Sequence, residues 1–376
     1  MPEIIHLPSS RIHRRGGVAL LMVLLIVVAI TILATGFLAG TDAELACGAN
    51  TLLRVQMDQL AQSGLEHARG LILHPQEVPA SFWTNGATAQ QLVAGSQDYY
   101  DIAKIEQPDS GDYCTYDIQC EAYRKLAGGE KTGRSRLAAT LRLDPCVALA
   151  VGANTTLWSG VKVYGDVYAW NGLTNNGAIY GDVFAASFAG TGAKTGQLIS
   201  PPTLPADWWP PVTSAYVNPD PDYANRTVSG TLSNATWQPA IWRSDDSLVL
   251  AGNVTMQGML LVVGDLTIRG NANTIRAAQN LPALYVSGKL EIEDVSDLRI
   301  DGLVVVGGDV HISSPASVTI AGGLFVGGAL NLEGPGSALT IIADPMRAAI
   351  VAGTTGSQTA WSPAAGGFFK SIRRWE

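Results

Sequence analysis

The sequence predicts a chain of mixed class. A long N-terminal α-helix, membrane-spanning and then amphipathic, leads into a small α+β head and a C-terminal parallel β-solenoid. Three observations carry this. Residues 16–41 form a charge-free run of 26 residues that continues into a helical pattern. Residues 76–146 hold short alternating segments and two of the four cysteines before Cys146 closes them. Beyond Val147 a glycine-marked unit recurs, with its last four copies 24, 20 and 20 residues apart. The organisation that follows is a basic leader (1–17), the helix (18–75), the head (76–146), the solenoid (147–350) with a Pro/Trp-rich insertion at 198–242, and a tail (351–376).

The helix begins in a membrane. A bilayer core needs about 20 apolar residues, and a cleaved export signal carries only about 7–15. Residues 16–41 exceed the second length and satisfy the first. Arg11, Arg14 and Arg15 precede the run, and Asp42 and Glu44 follow it. The positive-inside rule then keeps the N-terminus cytoplasmic and exports everything after the run. Past the membrane, Leu53, Met57, Ala61, Leu65, Ala68 and Ile72 recur at spacings of three and four, the pattern of one buried helical face. Pro75 and Pro79 end it. From Val18 to Leu73 such a helix would be about 80 Å long, and Gly40, Gly48 and Gly64 predict bends or local melting.

Composition excludes several classes. A net charge of −8 and a pI near 5.2 do not supply the basic field that nucleic-acid binding requires. Forty-one glycines beside only 15% charged residues suit a turn-dense β protein. All four cysteines, Cys47, Cys114, Cys120 and Cys146, lie on the exported, oxidising side. Four cysteines allow three connectivities. Cys114 and Cys120, which close a short loop, are the expected pair. Their spacing is not that of a metal site, and Glu44 stands where lipidation of Cys47 would need an aliphatic residue.

The stretch "RRGGVALLMVLLIVVAITILA" resembles the leader and anchor of PilX-type pilus assembly proteins and of the K-type minor pseudopilin of type II secretion. "LAQSGLEHARGLI" is similar to the segment that follows the anchor in the PilX group. The resemblance covers about a fifth of the chain, residues 11–75. It implies a membrane peptidase that cuts after the leader glycine and methylates the new N-terminus. The matching position is Gly17, giving a mature chain from Val18, with Gly16 as the alternative cut. Major pilins carry a glutamate at mature position 5; here that position is Met22, and no acid precedes Asp42. The resemblance therefore implies a subunit that primes or caps a filament, with other pilin or pseudopilin subunits as partners through the helix.

The repeat of the C-terminal half is Gly, usually a polar residue, then aliphatic–polar–aliphatic: "GDVYA" at Gly165, "GDVFA" at Gly181, "GNVTM" at Gly252, "GDLTI" at Gly264, "GKLEI" at Gly288, "GDVHI" at Gly308 and "GALNL" at Gly328. A second strand follows each of the last four ("NTIRA", "DLRID", "SVTIA", "ALTII") and a third precedes it ("LLVV", "ALYV", "LVVV", "LFVG"). Three short strands per 20-residue unit is the arithmetic of a parallel β-helix, expected to be right-handed. The pairs Leu266/Ile268, Leu290/Ile292, Val310/Ile312 and Leu330/Leu332 then point inward, and Thr267, Glu291, His311 and Asn331 point outward.

No catalytic constellation stands out. Polysaccharide-cleaving β-helices gather carboxylates on one outer face, but the outward quartet is mixed, and Glu293, Asp294 and Asp297 read as a solvated corner. The five histidines, His6, His13, His67, His74 and His311, form no dyad. "NPDPDYAN" lacks the glycine and terminal glutamate of a calcium loop. No cofactor and no metal are expected. Trp208 and Trp209, among prolines, are candidates for a partner surface or for covering the solenoid's side. The expectation is a non-enzymatic pilin-like subunit in the inner membrane with its bulk in the periplasm or at the cell surface, its solenoid projecting towards a surface polymer or protein. The alternative is an anchored β-helix protein that binds or processes cell-surface polysaccharide.

Overall fold

The computed structural model describes residues 16–73, 86–106, 115–200, 209–210, 225–278, 281–313, 315–333, 336–348, 350, 361 and 368–372. One long N-terminal helix is followed by an antiparallel sheet and a parallel β-solenoid of about nine turns. The chain divides into two compact units, residues 1–57 and 58–376.

The helix spans Gly16–Leu73 without a break. Gly40 and Gly48 leave it regular, so the bends they predicted do not form. Gly64 has a different reason to be glycine. A Cβ there would collide with Cys120 Sγ and come within 2.8 Å of the Tyr100 ring, so the missing side chain is what lets helix and sheet approach. Leu60, Ala61, Leu65, Ala68 and Ile72 are buried, as the three-and-four spacing requires. Beside them the Tyr100 hydroxyl and His67 Nδ1 are 2.9 Å apart, and burial lowers the His67 pKa.

The sheet of the head places its strands in the order Ala87–Gln90, Asp98–Glu106, Thr115–Lys125, Lys131–Asp144 and Phe368–Ile372, all antiparallel. Period-two patterning sets its faces: Tyr116, Ile118, Cys120 and Ala122 are buried, as are Ala139, Leu141 and Leu143. The residues expected to form a tail instead supply the fifth strand, at Phe368–Ile372. The expected Cys114–Cys120 bridge is not found, since Cys120 is a free thiol within the extended strand Thr115–Lys125. Cys120, Cys146 and Cys47 are free thiols, and Cys114 lies outside the described residues.

The solenoid confirms the inward ladder. Leu248, Leu266, Leu290, Val310 and Leu330 occupy register positions on successive coils, as do Leu250, Ile268, Ile292, Ile312 and Leu332. All ten are buried. Regular coils resume at Asn225–Thr227, so the interruption is shorter than composition suggested, and Trp242 lies inside the strand Ala235–Ser244. At that end of the stack Trp237 and Trp242 stack at 4.6 Å, and the Arg226 guanidinium lies over Trp242 at 5.2 Å. Together they cover the last apolar layer.

The coils do not follow sequence order. Leu324, Phe325 and Val326 pair in parallel with Leu149, Ala150 and Val151. Leu339–Ile342 pair with Val161–Tyr164 in the same way, and the Leu330 amide donates to Thr155 Oγ1 at 3.2 Å. The last coil of the sequence therefore stacks on the first. The chain enters mid-stack at Val147, climbs to Leu198–Ile199 at one end, and resumes at Asn225 at the other end. From there it runs back until Ile342 meets the strand beside Val147.

The "GD" of the repeat has a structural cause. Asp166, Asp182, Asp265 and Asp309 each accept a hydrogen bond from the amide of the residue in their own place one coil on: Asp182 (2.8 Å), Gln197 (2.6 Å), Lys289 (2.8 Å) and Ala329 (2.8 Å). The glycine before that residue makes room for the carboxylate. A Cβ on Gly196, Gly288 or Gly328 would collide with the aspartate oxygen below it. Asp166 is fully buried and also accepts from the Cys146 amide (2.6 Å) and Arg142 Nη2 (3.1 Å), which ties the head to the solenoid. Burial pushes its carboxyl up to about 6, outweighing the opposing pull of Arg142 and the two amides.

The triplets such as "LVVV" are apolar on both faces. Leu260, Leu284, Val304 and Leu324 point into the solenoid, while their neighbours Leu261, Tyr285, Val305 and Phe325 point out and are equally buried. A second core covers them. Ala348, Ile350 and Trp361 contribute to it, with Trp209 packed against it. Phe325 meets Trp209 and Trp361 edge-on, each at 5.7 Å. Continuous rather than alternating hydrophobicity is the sequence mark of a strand buried on both sides.

Candidate functional site

Two features remain after the cores are accounted for: the first part of the helix and a groove on the solenoid.

In the N-terminal unit the large apolar side chains from Val18 to Leu38 are exposed, Met22 among them, and no charge interrupts them. By length and composition this is a helix able to cross a membrane. Its only polar side chains before Asp42 are threonines, and each described hydroxyl is satisfied internally. Thr31 donates to the Val27 carbonyl (2.8 Å), Thr35 to the Thr31 carbonyl (2.8 Å) and Thr41 to the Phe37 carbonyl (3.2 Å). That internal bonding is what a hydrocarbon environment demands. Gly16 and Gly17 already belong to the helix; the basic residues before them lie outside the described residues. One N-terminal apolar helix of this kind is consistent with a single-pass anchor.

The groove lies on the wall that carries the outward residues Thr267, Glu291, His311 and Asn331, which the parallel register aligns on successive coils. His311 and Asn331 are side by side there. Two turns rise around them. One follows the strand Thr155–Leu157 and is closed by the Val161 amide donating to the Trp158 carbonyl at 2.9 Å. The other follows the strand Leu330–Leu332, where the Ser337 hydroxyl donates to the Glu333 carbonyl at 3.1 Å. The turns press together, since a Cβ on Gly160 would collide with the Ser337 carbonyl. Between them is a cavity of about 940 Å³ lined by Trp158, Ser159, His311, Asn331, Glu333 and Ser337, among others. His311 Nε2 and Glu333 Oε2 are 3.5 Å apart, and the Trp158 side chain is 52% exposed.

This groove exists only because the coils are reordered. Residues 158–160 and Asn331, Leu332, Glu333, Gly336 and Ser337 line it together across the join between the last and first coils of the sequence. The outward quartet supplied two of its lining residues, His311 and Asn331, to sequence reasoning. Trp158 and Glu333 were missed because they sit in turns and outside the strand repeat. Trp209 is half-buried against Trp170 and Phe325, and Trp208 lies outside the described residues. Among the described residues no group of three or more His, Cys, Asp or Glu gathers as metal ligands would.

No family model and no curated protein matches the chain. Among solved structures it is similar to the competence-associated pilin ComZ from Thermus thermophilus, at 10% identity, over 86% of this chain and 98% of that one, with a TM-score of 0.30.

Proposed function

We propose that the chain is a non-enzymatic, pilin-like subunit of the PilX type, anchored by a single helix and used to prime or cap a type IV pilus or a type II secretion pseudopilus. The observation that carries this reading is the Gly16–Leu73 helix. Its first part is exposed, apolar and free of acids, and its last turns are packed under the protein's own sheet. A plain membrane anchor needs only the first part. An assembly helix needs both, since it must pass from lipid into a bundle of neighbouring helices while holding its head in place. The leader arginines orient the head and solenoid outward. A membrane peptidase cuts after Gly17, and Val18 becomes the methylated N-terminus.

With Met22 in place of a carboxylate, the helix offers no partner to the N-terminal amine of a neighbouring subunit. It can begin or end a stack without repeating along it. The solenoid is the projecting surface. Intact-mass and N-terminal peptide analysis of the protein purified from membranes tests the reading. The expected mature terminus is N-methylated Val18, and a chain that retains Met1 overturns it.

A further inference from the structure

The groove between the Trp158 and Ser337 turns combines an exposed indole with polar groups in its lining, and the assembly reading, which rests on the helix, gives it no role. We propose that it is a saccharide-binding site that takes a neutral pyranose oligosaccharide. The inference deepens the reading of the solenoid as an exported, projecting surface.

An exposed tryptophan costs solvation unless something covers it, and the indole of Trp158 in the groove lining offers an apolar surface that suits the C–H face of a sugar ring. Sugar hydroxyls are at once donors and acceptors, so they need neighbours of both kinds. Asn331 offers a carboxamide that donates and accepts, Glu333 offers acceptors, and Ser159 and Ser337 line the same space. His311, held beside Glu333 at 3.5 Å, adds ring nitrogens on the same wall. A cavity of about 940 Å³ lies towards the upper end of the ~300–1,000 Å³ range for small-molecule sites, which leaves room for more than one ring. Charge selects among sugars. Among the described residues that line the groove the one acid is Glu333, with Glu291 further along the same wall beside His311, and the chain carries a net charge of −8, so uronic acids and phosphorylated glycans meet like charge.

Hydrolysis would require a second carboxyl group about 5–9.5 Å from the first across the ligand; among the described lining residues Glu333 is the one acid, so the proposal is for binding and assigns no cleavage step.

The test is calorimetric titration of the full-length protein in a detergent without a sugar headgroup. Cellotetraose and chitotetraose are the neutral probes, and tetragalacturonate is the anionic comparison. At least one neutral tetrasaccharide should bind, with tetragalacturonate at least tenfold weaker. Trp158→Ala should weaken the neutral probe by tenfold or more, and Trp158→Phe should retain part of the affinity. Glu333→Gln should narrow the gap between neutral and anionic probes. Trp158 stands in an exposed turn, so its truncation leaves both cores intact, and unchanged thermal unfolding verifies this. Failure of both neutral probes to bind overturns the proposal, as does equal binding by Trp158→Ala. Either result leaves N-methylation at Val18 unaffected, and loss of that methylation leaves the titration unaffected.

Discussion

The reordered stack makes a prediction that sequence order cannot share. Lys162 and Thr340 are register partners on adjacent parallel strands, both pointing away from the apolar interior. Neighbouring strands lie about 4.8 Å apart, within the 4.4–6.8 Å Cα separation that a disulfide bridges. Lys162→Cys with Thr340→Cys should therefore form a bond under mild oxidation. The loop it closes holds about 180 residues, for which chain entropy predicts a stabilisation of about 5 kcal/mol. If the coils stacked in sequence order, positions 162 and 340 would lie near opposite ends of about nine turns. At ~4.8 Å per turn that is on the order of 35–40 Å, and no bond could form. Non-reducing electrophoresis of the cysteine pair, built on a chain lacking the native thiols, reads the outcome through faster migration. Peptide mapping then identifies the linkage. A pair that stays reduced, or that links only between molecules, refutes the proposed join between the first and last coils.

Other consequences concern the cores and the buried groups. Phe325→Ala opens the second core and should destabilise the fold by about 3–5 kcal/mol in urea unfolding, whereas Asn331→Ala, exposed on another wall of the same coil, should stay within about 0.5 kcal/mol. Asp166 is an acid whose folded pKa is raised, to about 6 from 3.8, so its protonated form favours the fold. That contribution, about 3 kcal/mol, is full below pH ~4 and lost as pH climbs to about 6. Comparing Asp166→Asn with the parent protein from pH 3 to 7 should show the parent losing stability with rising pH and the variant losing less. Burial raises the Cys120 thiol to about 12; maleimide should label exposed Cys47 in the native protein and reach Cys120 and Cys146 only after unfolding.

Much of the architecture was legible because two periods coincide. Alternation along each strand fixed which residues face inward, and a 20-residue repeat fixed which strands are neighbours, so the Leu266–Leu330 ladder could be drawn from the sequence. Three things could not be drawn from it. Periodicity orders coils along the chain and does not say which end of one block docks on which end of another, so the pairing of Phe325 with Ala150 was hidden. The outer core had a signal that was not used: "LVVV" and "ALYV" do not alternate, and two of the four outward positions, Tyr285 and Phe325, are aromatic. The Cys114–Cys120 expectation rested on closeness in sequence alone, whereas Cys120 is a free thiol within an extended strand. The apolar helix was legible for the opposite reason, since a run long enough to cross a membrane is a matter of local composition alone. The groove was legible only at His311 and Asn331, because its strand residues obey the repeat and its turn residues do not.

The route of the chain also explains where the solenoid is attached. Lys131–Asp144 and Phe368–Ile372 are adjacent antiparallel strands of one sheet, and the whole solenoid is inserted between them. An insertion is tolerated when its two ends lie close together. A solenoid threaded in sequence order would begin and end at opposite poles and would pull these strands apart. Starting mid-stack solves the problem: Val147 and Ile342 belong to the coils that meet at the join, next to the buried Asp166–Arg142 contact with the sheet. The arrangement demands that Thr155 find Leu330, 175 residues later, and so high contact order should make folding slow. In return both ends of the stack stay clear of the attachment point. The groove at the join is then held by the first and last coils of the sequence together.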